Sequence, residues 1–192
     1  SHIASIAKYQ WLRDGTEIES ATSKALTLSQ SDVASVLSLN VSYKDGSDTT
    51  ETFSSSATAK VENVNDVPSG ILKITGTTAQ EDILTADTSD LSDIDGLGTF
   101  SYQWMRDGTT ISGETKATLT LGETDVGKKI VVTVSYTDKQ GTSETVKSAS
   151  TNAISNKNDV PTGSVTLSGE AVEGTILSLD TSTIADADGL GD

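Results

Sequence analysis

The sequence contains no cysteine and only one histidine, and aromatic residues make up 4% of its 192 positions. Disulfides, thiolate metal sites and a cysteine nucleophile are therefore excluded. The histidine, His2, lies in the opening residues 1–5, "SHIAS", which look like a cloning remnant and are set aside. A glycine-rich phosphate loop is also missing, so this composition gives no support to an enzyme.

Basic residues are scarce as well, since 13 Lys and Arg face 28 Asp and Glu, which gives a formal net charge of −15. Nucleic-acid binding requires clusters of Lys and Arg against phosphate, so we expect no nucleic-acid partner. No apolar run is long enough to cross a bilayer and no signal-peptide pattern is present, so we expect no membrane insertion. The acidity has two interpretations, a solvated soluble surface or carboxylates clustered to hold cations.

The chain repeats itself at an offset of 93 residues, without a gap. The strings "YQWLRDGTEI", "NDVP" and "DIDGLG", which begin at Tyr9, Asn65 and Asp93, return nearly unchanged 93 residues later. Such self-similarity at a fixed period is the signature of a tandem array.

Short segments rich in β-branched residues alternate with turn residues at intervals of roughly ten positions, which is typical of an antiparallel sandwich. No stretch with 3.6-residue periodicity predicts a helix. We therefore predict an all-β fold. In the complete repeat the predicted strands are residues 70–76, 82–89, 99–108, 117–121, 129–138 and 143–154.

The string "WMRDG" from Trp104, followed by "LTL" and "DVG", resembles strand C, strand E and the E–F turn of immunoglobulin-like domains. The resemblance implies tandem immunoglobulin-like β-sandwiches in which Trp11 and Trp104 are buried core residues. The chain departs from true immunoglobulin domains because the disulfide between strands B and F is missing. Leu84 and Val132 are expected to fill that space.

This topology divides the chain after residue 5 into three parts. Residues 6–66 form a partial module with strands C to G, residues 67–159 a complete module, and residues 160–192 a partial module with strands A and B. An isolated two-stranded hairpin is marginal in water. We therefore expect the hairpin of residues 160–192 to complete residues 6–66 of a neighbouring copy, in a closed dimer or an open fibre.

A closer resemblance covers essentially the whole chain after residue 5. The pattern "DxDGLG…SYQWxRDG…DVG…VSYTD…NxNDVPxG" is similar to the tandem immunoglobulin-like, cadherin-like repeats of giant RTX-type adhesins of Gram-negative bacteria. These adhesins are secreted by a type I system and held at the cell surface. The resemblance implies an extracellular or cell-surface stalk of many modules, calcium at the junctions between neighbouring modules, and a role in attachment or biofilm formation.

A different class of function is a module that itself recognises a glycan or another surface. Sugar-binding faces usually display aromatic platforms, and aromatic residues are scarce here. The two tryptophans are better explained as core residues, so the stalk remains the preferred interpretation.

An immunoglobulin-like topology brings the interdomain linker, the B–C loop and the F–G loop to one pole of the complete module. Carboxylates gathered there repel one another unless a cation binds or their pKa values rise. Ca²⁺ accepts six to eight oxygen ligands in loose geometry and therefore suits such loops. The predicted calcium ligands are Asn65, Asp66, Asp93, Asp95 and Asp138.

The same pattern predicts a second set of calcium ligands one repeat later, Asn158, Asp159, Asp186 and Asp188. In the complemented module, Asp186 and Asp188 of one copy are expected to meet Asp45 of the neighbouring copy.

The alternative interpretation is that Asp and Gly here serve only as turn formers. We favour this alternative for Asp14, Asp32, Asp107 and Asp125. The E–F turn, which carries Asp32 and Asp125, should nevertheless face the next module and could supply a ligand.

Overall fold

A computed structural model describes residues 7–191 of the chain. The set-aside residues 1–5, with His2, lie outside this range. Between residues 7 and 191 the chain forms antiparallel strands and two 3-10 turns, Gln30–Asp32 and Glu123–Asp125, which confirms the prediction of an all-β fold. No helix in this part of the chain is long and apolar enough to cross a membrane.

The chain divides into two compact units. Unit 1 contains the residues up to Val67 together with Asp93–Leu97 and Asp138–Thr142. Unit 2 contains Pro68–Ser92, Gly98–Thr137 and the residues from Ser143 onward.

Unit 1 is built on one four-stranded sheet in the order β2-β1-β3-β4. Its strands are β1 (Lys8–Arg13), β2 (Thr16–Glu17), β3 (Leu37–Lys44) and β4 (Thr50–Ser54). Trp11 of β1 pairs with Leu39 of β3, and the Trp11 ring is only partly buried. Within one chain Trp11 is less buried than its predicted core role implies, because the described residues of unit 1 include no second sheet to cover that face.

Unit 2 contains two larger sheets, with the strand orders β5-β6-β9 and β11-β10-β7-β8. The strands are β5 (Lys73–Thr75), β6 (Ile83–Asp87), β7 (Ser101–Arg106), β8 (Thr109–Thr110), β9 (Thr118–Thr120), β10 (Ile130–Thr137) and β11 (Ser143–Lys147). Unit 2 ends in a separate hairpin, β12 (Thr166–Ser168) with β13 (Ser178–Asp180).

The core of unit 2 is filled from both of its larger sheets, as expected of a β-sandwich. Leu84 of β6, Trp104 of β7 and Val132 of β10 are each 0% exposed. Leu84 and Val132 are thus interior residues, as the sequence predicts. Trp104 keeps its indole N–H satisfied by donating to the Lys116 carbonyl at 2.9 Å.

The strands are shorter than predicted, and the largest difference is the segment 143–154, where β11 ends at Lys147. Beyond that point the backbone N–H groups of Ser148 and Thr151 still donate to the carbonyls of Val132 and Ile130, both at 2.9 Å, but side-chain hydroxyls replace the carbonyls as acceptors of the return bonds. Ser148 Oγ accepts from the Val132 N–H at 3.0 Å, and Thr151 Oγ1 accepts from the Ile130 N–H at 2.9 Å. Serine and threonine side chains compete with the ladder in this way, so a pattern of strand-like residues overestimates the strand.

Candidate metal centre

In unit 1 the linker before residue 67 lies with the loops 93–97 and 138–142, the three segments in which calcium ligands are predicted. The Asp66 N–H donates to Asp95 Oδ2 at 2.7 Å, which joins the linker to the first loop. The Lys139 N–H approaches the carbonyls of Asp95 and Gly96 at 3.3 and 3.2 Å, which joins the two loops. Three segments far apart in sequence therefore meet around Asp95.

Asp95 is the centre of this arrangement and is only 2% exposed. Its Oδ1 accepts from Gln30 Nε2 at 2.8 Å. Asp93 shapes the loop, because its Oδ1 accepts from the Asp95 N–H at 2.8 Å. Gly96 follows with φ 91°, a left-handed conformation that glycine adopts without strain. The "DIDG" string thus forms a tight turn that presents a buried carboxylate.

Asp138 contributes a buried carboxylate oxygen that has no partner. The residue is 5% exposed, and its Oδ1 accepts from the N–H groups of Gln140 and Thr142, both at 2.8 Å. Asp138 Oδ2 is buried without a hydrogen bond, and so is Oδ1 of Asn63 in the linker. Within residues 7–191 these are the only two such buried side-chain atoms. Burying a polar atom without a hydrogen-bond partner costs free energy, and native proteins therefore rarely contain such atoms.

A second cluster lies in unit 2 at positions one repeat later. Carboxylate oxygens of Glu123, Asp159 and Asp188 all lie within 4.8 Å of one another. The Asp159 N–H donates to Asp188 Oδ2 at 2.8 Å, which repeats the contact of Asp66 with Asp95. Asp186 Oδ1 accepts from the Asp188 N–H at 2.9 Å and forms the same turn as Asp93.

The remaining predicted ligands lie in less central positions. Asn65 and Asn158 are exposed, and the Asn158 side-chain amide donates to the Asp159 carbonyl at 2.8 Å. Asp45 is also exposed, and its Oδ1 accepts from the N–H groups of Ser47 and Thr49 at 2.8 and 2.9 Å. Asp45 therefore holds the same turn as Asp138, but it is exposed where Asp138 is buried.

Sequence reasoning missed two positions of the 3-10 turns, Gln30 and Glu123. They stand 93 residues apart and face Asp95 and the Asp159–Asp188 pair, respectively. The 93-residue repeat could have identified them. Both repeats carry a polar residue, Gln30 or Glu123, two positions before the aspartate of the 3-10 turn. Asn63 and Asn156 were missed in the same way, and Asn156 Nδ2 donates to Asp188 Oδ1 at 2.8 Å.

Each 3-10 turn is held in place by a buried aspartate. In unit 2, Asp125 is 3% exposed, and its Oδ1 accepts from Arg106 Nε at 2.6 Å. Its Oδ2 accepts from the Gly122 N–H at 2.8 Å, at the start of the turn. Asp125 thus does more than form a turn, because it fixes the backbone that carries Glu123.

Asp32 has the same role in unit 1, where its Oδ1 accepts from Arg13 Nε at 2.8 Å and its Oδ2 from the Ser29 N–H at 2.8 Å. Burial acts to raise the pKa of Asp32, but the hydrogen bonds from Ser29 and Arg13 outweigh burial and leave this pKa below its ordinary value. Asp32 therefore remains ionised and paired at neutral pH.

In unit 2 the linker around Asp159 is anchored by Gln80, which is 5% exposed. Gln80 Nε2 donates to Asp159 Oδ2 at 2.8 Å, and Gln80 Oε1 accepts from the Lys157 N–H at 3.2 Å. The Lys157 ammonium donates to Glu81, whose carboxylate raises the pKa of Lys157. The position of the linker is thus fixed by a short turn that no motif in the sequence identified.

A scan against protein-family models matches no family, and a search of curated proteins finds no match. Function is therefore inferred from the repeat and from the geometry of the two clusters.

Proposed function

We propose that this chain is a segment of a calcium-stiffened stalk, built from tandem immunoglobulin-like modules of a bacterial cell-surface adhesin. The strand orders β5-β6-β9 and β11-β10-β7-β8 support the immunoglobulin-like assignment, because they match an ABE sheet and a GFCC′ sheet. The 93-residue repeat supports the array, and the resemblance to RTX-type adhesins supplies the location and the biological role.

The observation that carries the proposal is the buried, unpartnered Oδ2 of Asp138. An ionised carboxylate is stable in the interior only when it is paired or bound to a metal. No lysine or arginine bonds to Asp138 among the described residues. Oδ1 of Asn63 is also buried without a hydrogen bond and belongs to the same unit. A cation bound there would give Asn63 Oδ1 and Asp138 Oδ2 the partner that each lacks.

The chemistry of the donors favours calcium. Both clusters offer carboxylate and amide oxygens, with no thiolate and no imidazole among the described residues. Hard divalent cations prefer such donors, and Ca²⁺ tolerates the irregular geometry of loops better than Mg²⁺ does. In unit 1 the proposed ligands are Asp66, Asp93, Asp95, Asp138 and Asn63. Among the described residues, the one group of three carboxylates within 4.8 Å of one another is that of Glu123, Asp159 and Asp188.

The mechanical consequence follows from the segments that supply the ligands. Without the ion, several carboxylates repel one another around a short linker. With the ion, the linker is tied to the loops 93–97 and 138–142, so the linker loses its freedom to pivot. A repeated linkage of this kind turns a flexible string of modules into a stiff spacer, which suits extracellular modules that bind Ca²⁺ with Kd values of roughly 10⁻⁴ to 10⁻³ M.

Calorimetric titration with CaCl₂, paired with small-angle X-ray scattering, tests the proposal. We expect saturable calcium binding, and a larger maximum dimension and a higher Tm in calcium than in EDTA. Magnesium at the same concentration is the matched control and should produce a smaller change. If Tm and molecular extension are the same in calcium and EDTA, the stalk proposal is wrong.

A further inference from the structure

Unit 1 exposes apolar residues, on its sheet and beside it, whose counterparts in unit 2 are buried or pack against the core. Leu121 of unit 2 is 2% exposed, whereas Leu28, at the same repeat position, is 51% exposed. Phe53 of β4 is 64% exposed and its ring stacks on that of Tyr43, with centroids 6.2 Å apart. Because Tyr136, the counterpart of Tyr43, is 4% exposed, these aromatic rings occupy positions that face the core of a complete module.

The hairpin β12–β13 also exposes apolar residues, which have no packing partner within unit 2. Leu177 and Leu179 are 52% and 63% exposed. Their counterparts in the complete module, Leu84 and Ala86, are 0% and 6% exposed. Val165 is 59% exposed, although its counterpart Leu72 is 2% exposed. The hairpin therefore presents the inner face of a sandwich sheet to solvent.

The sheet β5-β6-β9 of unit 2 has no equivalent in unit 1, and the pairing of β9 explains why the apolar residues of unit 1 stay exposed. Residues 118–120 form β9, which pairs with β6 so that Leu84 lies opposite Leu119 and Thr85 opposite Thr118. The corresponding residues 25–27 form no strand. Among the described residues, the segment equivalent to β6 is β13 with the residues just before it, and β13 pairs there only with β12.

We propose that residues 160–191 of one copy dock on the β1–β4 sheet of a second copy and rebuild there the sandwich seen in unit 2. The repeat fixes the register: Leu177 of one copy lies opposite Leu26 of the other, and Ser178 lies opposite Ala25. Residues 25–27 then become a strand, and the exposed leucines enter a common core with Trp11 and Leu28.

A second copy of this chain supplies a hairpin of the required register, because the match with the complete module extends residue by residue along the repeat, including the turn glycines. Gly163 and Gly169 of the hairpin have φ 98° and 120°, and Gly70 and Gly76 of the complete module have φ 92° and 118°. The docking segment is also large enough, because a stable interface uses roughly 20–30 residues on each side. Each copy carries one hairpin and one open sheet, so reciprocal docking doubles the buried surface in a closed dimer.

Light scattering coupled to size exclusion, performed in EDTA, tests this docking independently of calcium. We expect a mass at least twice the 19.9 kDa of one chain. Leu177→Asp should return the mass to that of one chain. Ile176→Asp is the matched control, because the counterpart Ile83 remains 55% exposed in the complete module, and this variant should keep the mass of the parent.

A monomeric parent chain, or equal behaviour of the two variants, would overturn the proposal. Neither substitution touches the core of the complete module, since Ile176 and Leu177 are 82% and 52% exposed. A failure to fold therefore does not account for a loss of mass, and circular dichroism of both variants checks that point.

Cross-linking defines the register. The chain has no cysteine, so the pair Ala25→Cys with Ser178→Cys introduces the only thiols. After oxidation we expect covalent dimers or longer ladders in non-reducing electrophoresis, with each single variant as the control. A cross-linked monomer would place the hairpin on its own chain, and the absence of any cross-link would show that this register does not occur; either result contradicts the proposal.

Discussion

The side-chain amide of Gln30 donates a 2.8 Å hydrogen bond to Oδ1 of Asp95, and the following repeat has Glu123 at the equivalent position. The amide occupies a carboxylate oxygen that a metal could otherwise use. Glu123 cannot donate, and instead brings a third carboxylate within 4.8 Å of those of Asp159 and Asp188. At this repeat position the two clusters therefore differ by one unit of charge and one oxygen donor.

Glu123→Gln is expected to weaken calcium binding at the cluster of Asp159 and Asp188. Calcium affinity depends on the number of charged ligands, so loss of one carboxylate should raise Kd roughly tenfold or more. Calorimetric titration of the variant measures this change. An unaltered titration curve would show that Glu123 is not a ligand.

Gln30→Glu is the reciprocal prediction and acts on the cluster of Asp95. The substitution removes the hydrogen bond from Gln30 Nε2 and adds an oxygen donor, so calcium should bind more tightly there. In EDTA the extra charge beside the buried Asp95 should lower Tm through repulsion. A variant that gains stability in EDTA would contradict this account.

Asp138→Asn separates the structural role of this residue from its metal role. Asparagine retains an oxygen that can accept from Gln140 and Thr142, while the unpartnered Oδ2 is replaced by an uncharged amide. We expect Tm in EDTA to stay equal or rise, and the calcium-induced rise in Tm to shrink. Asp48→Asn is the control, because that exposed carboxylate bonds only to Lys44, and it should leave the calcium response intact.

Arg106→Met is expected to destabilise unit 2 and to disturb Glu123 together with it. The substitution leaves the buried Asp125 carboxylate without its guanidinium partner, and stranding a buried acceptor costs about 1–3 kcal/mol. Urea unfolding measures the loss, and calcium titration should show weaker binding at the cluster of Glu123. Lys128→Met is the control, since its ammonium pairs at the surface with Asp107, and surface pairs contribute little.

More of the fold than of the candidate metal site could be predicted from the sequence. In the predicted strand 129–138 apolar residues recur at every second position, and the four that share one face, Ile130, Val132, Val134 and Tyr136, are all buried. Such alternation depends only on the local geometry of a strand. The burial of Trp11 could not be predicted in this way, because it depends on a second sheet rather than on the strand that carries the residue.

The sequence motifs predicted which segments lie together, but they did not predict the contacts between side chains that are distant in sequence. The loops with Asp95 and Asp138 lie in one unit with the linker, as the topology suggested. Gln80 was not anticipated, because its contact with Asp159 spans 79 residues of sequence. Asp32 and Asp125 were interpreted as turn formers, since the sequence gives no sign that Arg13 and Arg106 reach them across 19 residues.

Acid should weaken unit 2 through Asp107, whose pKa is lowered first by the hydrogen bond from the Lys129 N–H and next by that from Lys128. Unfolding releases both contacts, so the unfolded chain binds the proton more readily. The stabilisation is therefore present above the unfolded pKa of about 3.9 and is lost as pH falls through the lower folded value. Asp107→Asn keeps an acceptor and tolerates the residue's φ of 45°, yet it cannot titrate.

The measurement is urea unfolding of the parent chain and of Asp107→Asn across the acid range. We expect the parent to be the more stable of the two at pH 6, because the ionised carboxylate is the stronger acceptor for the Lys129 N–H. The difference should shrink steadily below pH 4, as the carboxylate of the parent takes up its proton. A difference that stays constant down to pH 2 would mean that the hydrogen bond to Lys129 does not depend on the charge of Asp107.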